Sequence, residues 1–177
     1  MYWKYFKYLI RHKFWVGYYC IKMCLYRQAL THDLSKFELD EFIPYARWFF
    51  GKSNGIENDL KVKTDFDNAW ELHYRRNPHH PEHWIQFGVT ISKCDNGTTQ
   101  IEKPKYLMDM DKISMLEFIA DLKAMERTVG NNKDGKNPLG YITWFLEKGD
   151  FDLSKSTFEC LSWYFMIECQ CNIKGIK

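Results

Sequence analysis

The positions of the histidines are the strongest constraint on how this 177-residue chain folds, because all six lie in its first half. His32 stands beside Asp33 within residues 31–37, and three more histidines occupy the run Asn-Pro-His-His-Pro-Glu-His-Trp at residues 77–84. Histidines that serve only in packing would be scattered along the sequence. The clustering predicts a fold that brings imidazoles and carboxylates together at a metal site.

Length and composition predict one domain spanning residues 1–177. Hydrophobic residues make up 45% of the chain and aromatic residues 18%, which excludes general disorder and supplies bulky core side chains. The formal net charge of +2 is too small to indicate nucleic acid or a membrane as a partner. We therefore expect no membrane partner, we do not favour nucleic acid as a partner, and we consider a homodimer as an additional state.

The N-terminal segment and the cysteines predict a cytoplasmic protein, in the host cytoplasm if the protein is viral. The longest uncharged run near the N-terminus, residues 14–21, is far shorter than the roughly 20 residues that span a bilayer. The six cysteines include no Cys-x-x-Cys pair, and Cys20 and Cys24 are predicted to share one buried helix face. Reduced core thiols fit a reducing compartment.

Apolar residues spaced by three and four predict an all-α fold, built as a helical bundle. A small β-hairpin insertion is predicted for residues 84–92 and 98–103, because Asn96-Gly97 is typical of a tight hairpin turn. Residues 51–65 and 130–140 are predicted to be loops. The predicted helices are residues 3–28, 38–50, 66–76, 109–129, 141–147 and 157–172.

Three polar residues have spacings that predict an inward orientation. His12 and His73 lie within the apolar stripes of their helices, and Asp121 borders the buried face of its helix. Pro78 stiffens the turn that carries the histidine pair after it. A lone histidine on an apolar face is usually a core residue, but several such residues together favour metal. The predicted metal ligands are His12, His32, Asp33, His73, His79, His80 and Asp121.

This surplus of ligands favours two divalent transition-metal ions rather than one, with Asp33 as a bridge. Imidazole and carboxylate together suit Mn, Fe, Co, Ni or Zn. A metal-bound hydroxide would then hydrolyse a phosphate ester, with Lys36 and Asp33 as catalytic residues. Lys36 and Arg76 are predicted to contact the substrate, whereas Glu41, Glu117 and His83 are predicted to orient the ligands.

The order of these residues resembles the H…HD…D pattern of the HD superfamily of metal-dependent phosphohydrolases. His12 matches the first histidine, His32 and Asp33 match the pair, and Asp121 matches the late aspartate. Lys36 is similar to the lysine of the HDxGK motif of this superfamily. The resemblance implies a helical domain with a metal-dependent hydrolytic site.

Further residues resemble the two-metal branches of that superfamily, such as the HD-GYP cyclic-dinucleotide phosphodiesterases. His73 and the pair His79-His80 match their extra ligands, although Ser35 replaces the motif glycine and no Gly-Tyr-Pro signature follows. The strings His-Asp-Leu-Ser-Lys-Phe and Asn-Pro-His-His-x-x-His-Trp are also similar to an uncharacterised family of phage and bacterial proteins. That similarity extends over roughly residues 5–150 and implies no assigned activity.

Three functions follow as hypotheses. The leading one is a phosphohydrolase that acts on a nucleotide or another small phosphate ester. The first alternative is an oxygenase with a di-iron centre, because inositol oxygenase and its relatives resemble this chain in scaffold and in histidine surplus. The second alternative is a non-catalytic interaction module in which the metal only staples the fold.

Overall fold

The computed structural model describes residues 1–52, 56–93, 99–129, 137, 139–148 and 151–173. Within these residues the chain is mostly helical with two short antiparallel strand pairs, which confirms the predicted fold class. None of the described helices is long and apolar enough to cross a membrane. The helices are α1 (Tyr2–Lys22), α2 (Tyr26–Thr31), α3 (Leu39–Phe50), α4 (Ile56–Arg76), α5 (Lys112–Thr128), α6 (Gly140–Lys148) and α7 (Lys155–Ile173), with 3₁₀ turns at Leu34–Phe37 and Pro81–Trp84.

The predicted first helix is in fact two helices, because the helical conformation is interrupted at Cys24. That residue has a left-handed φ of 60°, and the N–H of Leu25 donates to the carbonyl oxygen of Cys20 at 2.8 Å. The turn lets α2 fold back onto α1. Cys20 is buried while Cys24 is exposed, so the prediction of a shared buried face is wrong. All cysteines in the described residues are free thiols.

Helix α4 begins ten residues earlier than predicted, so much of the predicted loop 51–65 is helical. The polar composition of this segment reflects its exposed outer face. On the inner side, Val62, Phe66 and Ala69 continue the three- and four-residue spacing. Phe66 and Ala69 pack with Tyr45 of α3 in one apolar cluster, which joins α3 to α4.

The predicted hairpin is confirmed as two successive antiparallel pairs. Strand β2 (Thr90–Lys93) pairs with β3 (Thr99–Glu102), and β1 (Ile85–Phe87) pairs with β4 (Lys105–Leu107). Pairing therefore continues beyond Pro104, where the prediction ended it. The Asn96-Gly97 turn lies outside the described residues.

Small side chains let α1 and α5 pack closely, and this contact positions the site. Cys20 of α1 packs with Ala120 and Ala124 of α5, and all three are almost completely buried. The close approach places His12 of α1 opposite Asp121 of α5. On its other side, α5 packs against α6 and α7. That core contains Phe118, Ile119, Leu122, Tyr141, Phe145, Leu161 and Phe165.

Candidate metal centre

The His32-Asp33 pair lies at the junction between α2 and the first 3₁₀ turn. Asp33 has φ 54° and ψ 24°, a left-handed conformation that aspartate tolerates better than most residues. Lys13 of α1 donates from Nζ to the carbonyl oxygens of Leu30 and His32, at 2.8 Å in each case. These two bonds fix the junction against α1. The side chains of His32 and Asp33 are consequently buried.

The two carboxylate oxygens of Asp33 face two different pairs of histidines. Oδ2 lies 3.4 Å from His32 Nε2 and 3.9 Å from His12 Nε2. Oδ1 lies 3.3 Å from His73 Nε2 and 3.5 Å from His79 Nε2. Asp33 therefore stands between two sets of imidazole nitrogens.

Each set is completed by one further residue. On the Oδ2 side, Asp121 Oδ1 lies 3.0 Å from His12 Nε2 and 3.9 Å from His32 Nε2. We call His12, His32 and Asp121 the first ligand group. On the Oδ1 side, His80 Nε2 lies 2.9 Å from His73 Nε2. We call His73, His79 and His80 the second ligand group. All seven residues predicted as metal ligands, which are these six and Asp33, thus lie together.

Several atoms at the centre are buried and lack a hydrogen-bond partner among the described residues. They include His32 Nε2, Asp33 Oδ1, His79 Nε2 and Asp121 Oδ1. An unsatisfied buried polar atom costs about 1–3 kcal/mol, so a cation that satisfied four of them would stabilise the fold. Ligand atoms bonded to one ion at about 2.0–2.2 Å lie roughly 3–3.6 Å apart. Most of the separations around Asp33 are of this size, so the residues fit a bound metal.

A buried carboxylate lies behind one histidine of each group. Glu117 Oε1 is 2.9 Å from His32 Nδ1, and Glu41 Oε2 is 2.7 Å from His73 Nδ1. An Nδ1–H that donates to a carboxylate leaves the Nε2 lone pair directed at the centre, which is the tautomer a metal requires. Glu41 and Glu117 thus lie where the sequence predicted ligand-orienting residues.

Two residues that the sequence did not predict for the site hold Glu41 and His73 in place. Ser35 Oγ donates to Glu41 Oε2 at 3.0 Å. Asn77 Nδ2 donates to Ser35 Oγ at 3.0 Å and to the carbonyl oxygen of His73 at 2.8 Å. The available signals were the serine at the motif glycine position and the amide one turn after His73. Ser35 therefore has a structural role that glycine cannot provide.

Electrostatics give most of the centre the protonation states that metal binding requires. Burial lowers the pKa values of His79 and His80 well below the ordinary value, so both imidazoles are neutral. Burial on its own raises the pKa of Asp33, but the His32 and Lys36 charges outweigh it and hold the carboxyl ionised. For His32, burial lowers the pKa, yet the surrounding carboxylates outweigh burial and raise the pKa to about 10. A proton on His32 therefore competes with metal.

Lys36 provides a positive charge at the edge of the centre. Its Nζ lies 2.5 Å from Asp33 Oδ2. Burial lowers the pKa of Lys36, but the charges of Asp33 and Asp121 outweigh burial and raise it, so the side chain stays cationic. Lys36 and Asp121 are each 13% exposed, more than the histidines of either group, and they mark the side from which the centre is reached.

Two residues that the sequence predicts for the site lie away from both ligand groups. Arg76 was predicted to contact substrate, but its guanidinium contacts Asp40 and Glu41, each at 2.9 Å, on the far side of His73. His83 was predicted to orient a ligand, but it is exposed and its Nδ1 lies 3.0 Å from the carbonyl oxygen of Tyr74. Arg76 therefore supports Glu41 from outside, and His83 lies apart from both ligand groups.

The comparisons with known proteins give one match. A search of curated proteins and a search of solved structures each found none. The model of a family of unknown function (DUF5662) matches residues 1–166, which is nearly the whole chain. The protein therefore belongs to this family of unknown function, DUF5662.

Proposed function

We infer that this protein is a metal-dependent phosphohydrolase of the HD type, acting on a nucleotide or another small phosphate ester. The observation that carries this inference is the division of the Asp33 oxygens between two ligand groups. One carboxylate shared by two sets of ligands is how two-metal sites hold ions about 3.5–4 Å apart. The order of the histidines and aspartates, similar to that of HD phosphohydrolases, supports the same conclusion.

The types of ligand limit which metal ions the centre would bind. Five imidazoles and two carboxylates suit Mn, Fe, Co, Ni or Zn better than Mg or Ca, which prefer oxygen ligands. The first ligand group would hold one ion, the second group the other, and Asp33 both. Two such cations would lower the pKa of a coordinated water to near neutrality and offset the negative charge of a phosphoryl group.

Lys36 supports an anionic substrate. It adds a cation to a centre that would already hold two, and it lies on the most accessible side. An ammonium in this position can contact a phosphate oxygen during binding and as charge develops. Lys36 is therefore suited to hold an anionic substrate such as a phosphate ester.

The test is metal analysis of the purified protein, followed by a phosphate-release screen over nucleotides with Mn. We expect about two ions per chain and release from at least one nucleotide. Asp33→Ala should lose metal and activity together while circular dichroism shows that helicity is kept. Asp67→Ala is the matched control, because Asp67 is an exposed carboxylate paired with Lys63 on α4. It should keep both metal and activity.

Three outcomes would contradict the proposal. Wild-type metal content in Asp33→Ala would remove Asp33 from the ligand set. Oxygen consumption with iron, without phosphate release from any nucleotide, would identify the oxygenase. Bound metal without phosphate release or oxygen consumption, together with unfolding when the metal is chelated, would identify a metal-stapled module.

A further inference from the structure

Helix α1 carries a second apolar stripe on its outer side, in addition to the one that faces the core. Its members are spaced by three, four, four and seven residues, so they lie within about 80° of one another at about 100° per residue. Their exposed fractions run from 36% to 65%. No described element covers them to the extent that the core stripe is covered. The outer stripe consists of Trp3, Phe6, Ile10, Phe14 and Ile21.

The residues around the outer stripe are cationic. Helix α1 contains five lysines and arginines and no acidic residue, and the first acid of the chain is Asp33. Six cations precede Asp33, more than the formal net charge of +2, so the remainder of the chain is net negative. Apart from Lys13, whose Nζ is bonded to the carbonyl oxygens of Leu30 and His32, this positive charge lies beside the exposed aromatic face. The α1 cations are Lys4, Lys7, Arg11, Lys13 and Lys22.

We propose that the outer stripe of α1 lies on an anionic lipid surface. Helices that lie in the membrane interface combine an apolar face containing Trp and Phe with flanking Lys and Arg, and they bind anionic headgroups. Trp3 at the start of the stripe is the residue type enriched at the headgroup level. We expected no membrane partner because the net charge is small and no uncharged run near the N-terminus could span a bilayer. A helix that lies on the surface need not span, and it depends on the local charge of α1 rather than on the net charge.

Charge favours a lipid surface over a second copy of the chain. Two α1 helices that paired through this stripe about a two-fold axis would bring cationic flanks together. Lys7 and Arg11 lie next to the stripe, and the α1 of a second copy offers no carboxylate to offset them. An anionic bilayer provides the missing negative charge and accepts the aromatic side chains. It therefore matches both features of the stripe.

Docking through the outer stripe would leave the metal centre intact. His12 faces the protein interior from the opposite side of α1, where it is 2% exposed. Variants in the stripe can thus be examined for lipid binding and for metal content independently. Loss of vesicle binding with unchanged metal would concern this proposal alone.

The experiment is co-sedimentation of the full chain with vesicles of phosphatidylcholine, with and without about 30% phosphatidylglycerol. We expect binding to the anionic vesicles only, weakened when salt is raised from about 0.1 M to about 0.5 M. Phe14→Asp should weaken binding at least tenfold, about the change that 1.4 kcal/mol produces. Leu60→Asp on α4 is the matched control, because Leu60 is 64% exposed and Phe14 65%. It should bind like the wild type.

A second pair of variants tests the charges. Lys4→Gln with Lys7→Gln should weaken binding about fivefold for each cation removed. Lys61→Gln with Lys112→Gln changes the net charge equally on other helices and should have little effect. Absence of binding to anionic vesicles at low salt would overturn the proposal. An equal loss of vesicle binding in the two double variants would also overturn it. A dimer in sedimentation equilibrium that Phe14→Asp dissociates, without vesicle binding, would show that a second copy covers the stripe instead.

Discussion

Glu41 Oε2 lies 2.7 Å from His73 Nδ1, and both side chains are completely buried. The pair fixes the imidazole so that Nε2 faces Asp33. Glu41→Gln should therefore lower metal affinity about 10- to 100-fold, as is usual when a carboxylate behind a ligand histidine is removed. Competition with a chromogenic chelator measures this. Glu71→Gln, at a side chain that is 49% exposed and paired with Arg75, is the control and should leave the affinity unchanged. Equal affinities in the two variants would contradict the assignment.

The two ligand groups predict different losses of metal from different variants. Asp121 contacts only the first group, and His80 contacts only the second. Asp121→Asn and His80→Asn should each reduce the metal content from about two ions per chain to about one, whereas Asp33→Asn should affect both. Mass spectrometry under native conditions counts the ions. If Asp121→Asn removed both ions while the fold was retained, the separation into two groups would be wrong.

The substitution Cys24→Gly is expected to raise the stability of the protein. Its φ of 60° places a side chain in the left-handed region, which costs a non-glycine residue roughly 1–2 kcal/mol. Glycine avoids that cost but loses about 0.5–1 kcal/mol in chain entropy. Cys24→Gly should thus raise the free energy of unfolding by up to about 1 kcal/mol. Urea denaturation measures the change.

Cys160→Gly is the control for that prediction, because Cys160 is also exposed but lies inside α7. There glycine should destabilise by about 1 kcal/mol. Opposite signs for the two substitutions are expected. A loss of stability in Cys24→Gly would show that the left-handed conformation costs cysteine less than glycine loses in chain entropy.

Replacing Lys123 is expected to cause a large loss of stability. Its Nζ lies 2.5 Å from Glu168 Oε1 and within 6.0 Å of the ring centres of Tyr19, Tyr141 and Tyr164. Lys123→Met would leave a partly buried carboxylate without this cation and should cost about 2–3 kcal/mol. The double variant Lys123→Met, Glu168→Gln should recover at least half of that loss. Thermal unfolding of the three proteins is the measurement.

The same pair gives a dependence on pH. Burial on its own raises the pKa of Glu168, but hydrogen bonds from Lys123 and Tyr141 outweigh it and hold the pKa below the ordinary value. A depressed carboxyl pKa contributes stability at neutral pH that is lost as pH falls below about 4. The stability difference between the wild type and Glu168→Gln should therefore shrink in acid. A difference that stayed constant down to pH of about 2 would contradict this origin.

Helical periodicity explains which site residues could be predicted from the sequence. His12 and His73 lie within the apolar stripes of their helices. Once each stripe is assigned to the core, both side chains must face inward. Asp121 borders such a stripe, and the contact of α1 with α5 brings it to His12. These residues depend on helix faces, which the sequence encodes repeatedly over many turns.

Residues outside the helices could not be predicted in the same way, because a few backbone dihedral angles decide their direction. His80 has an extended backbone, φ −82° and ψ 131°, and faces the centre. His83, three residues later within a 3₁₀ turn, faces solvent. The break at Cys24 depends on a single positive φ angle, for which cysteine gives no signal. Arg76 lies away from the ligand groups because its guanidinium pairs with Asp40 and Glu41 of α3, which are distant in sequence.

The position of Asp33 between two ligand groups has a consequence for metal loading. In the proposed two-metal site, an ion held by one oxygen would withdraw electron density from the other and fix the torsion of the shared side chain. The affinity of each ion would therefore depend on whether the other is present, and this dependence would be reciprocal. During a chelator titration the protein should release its metals in two unequal steps, with a mono-metal species populated between them.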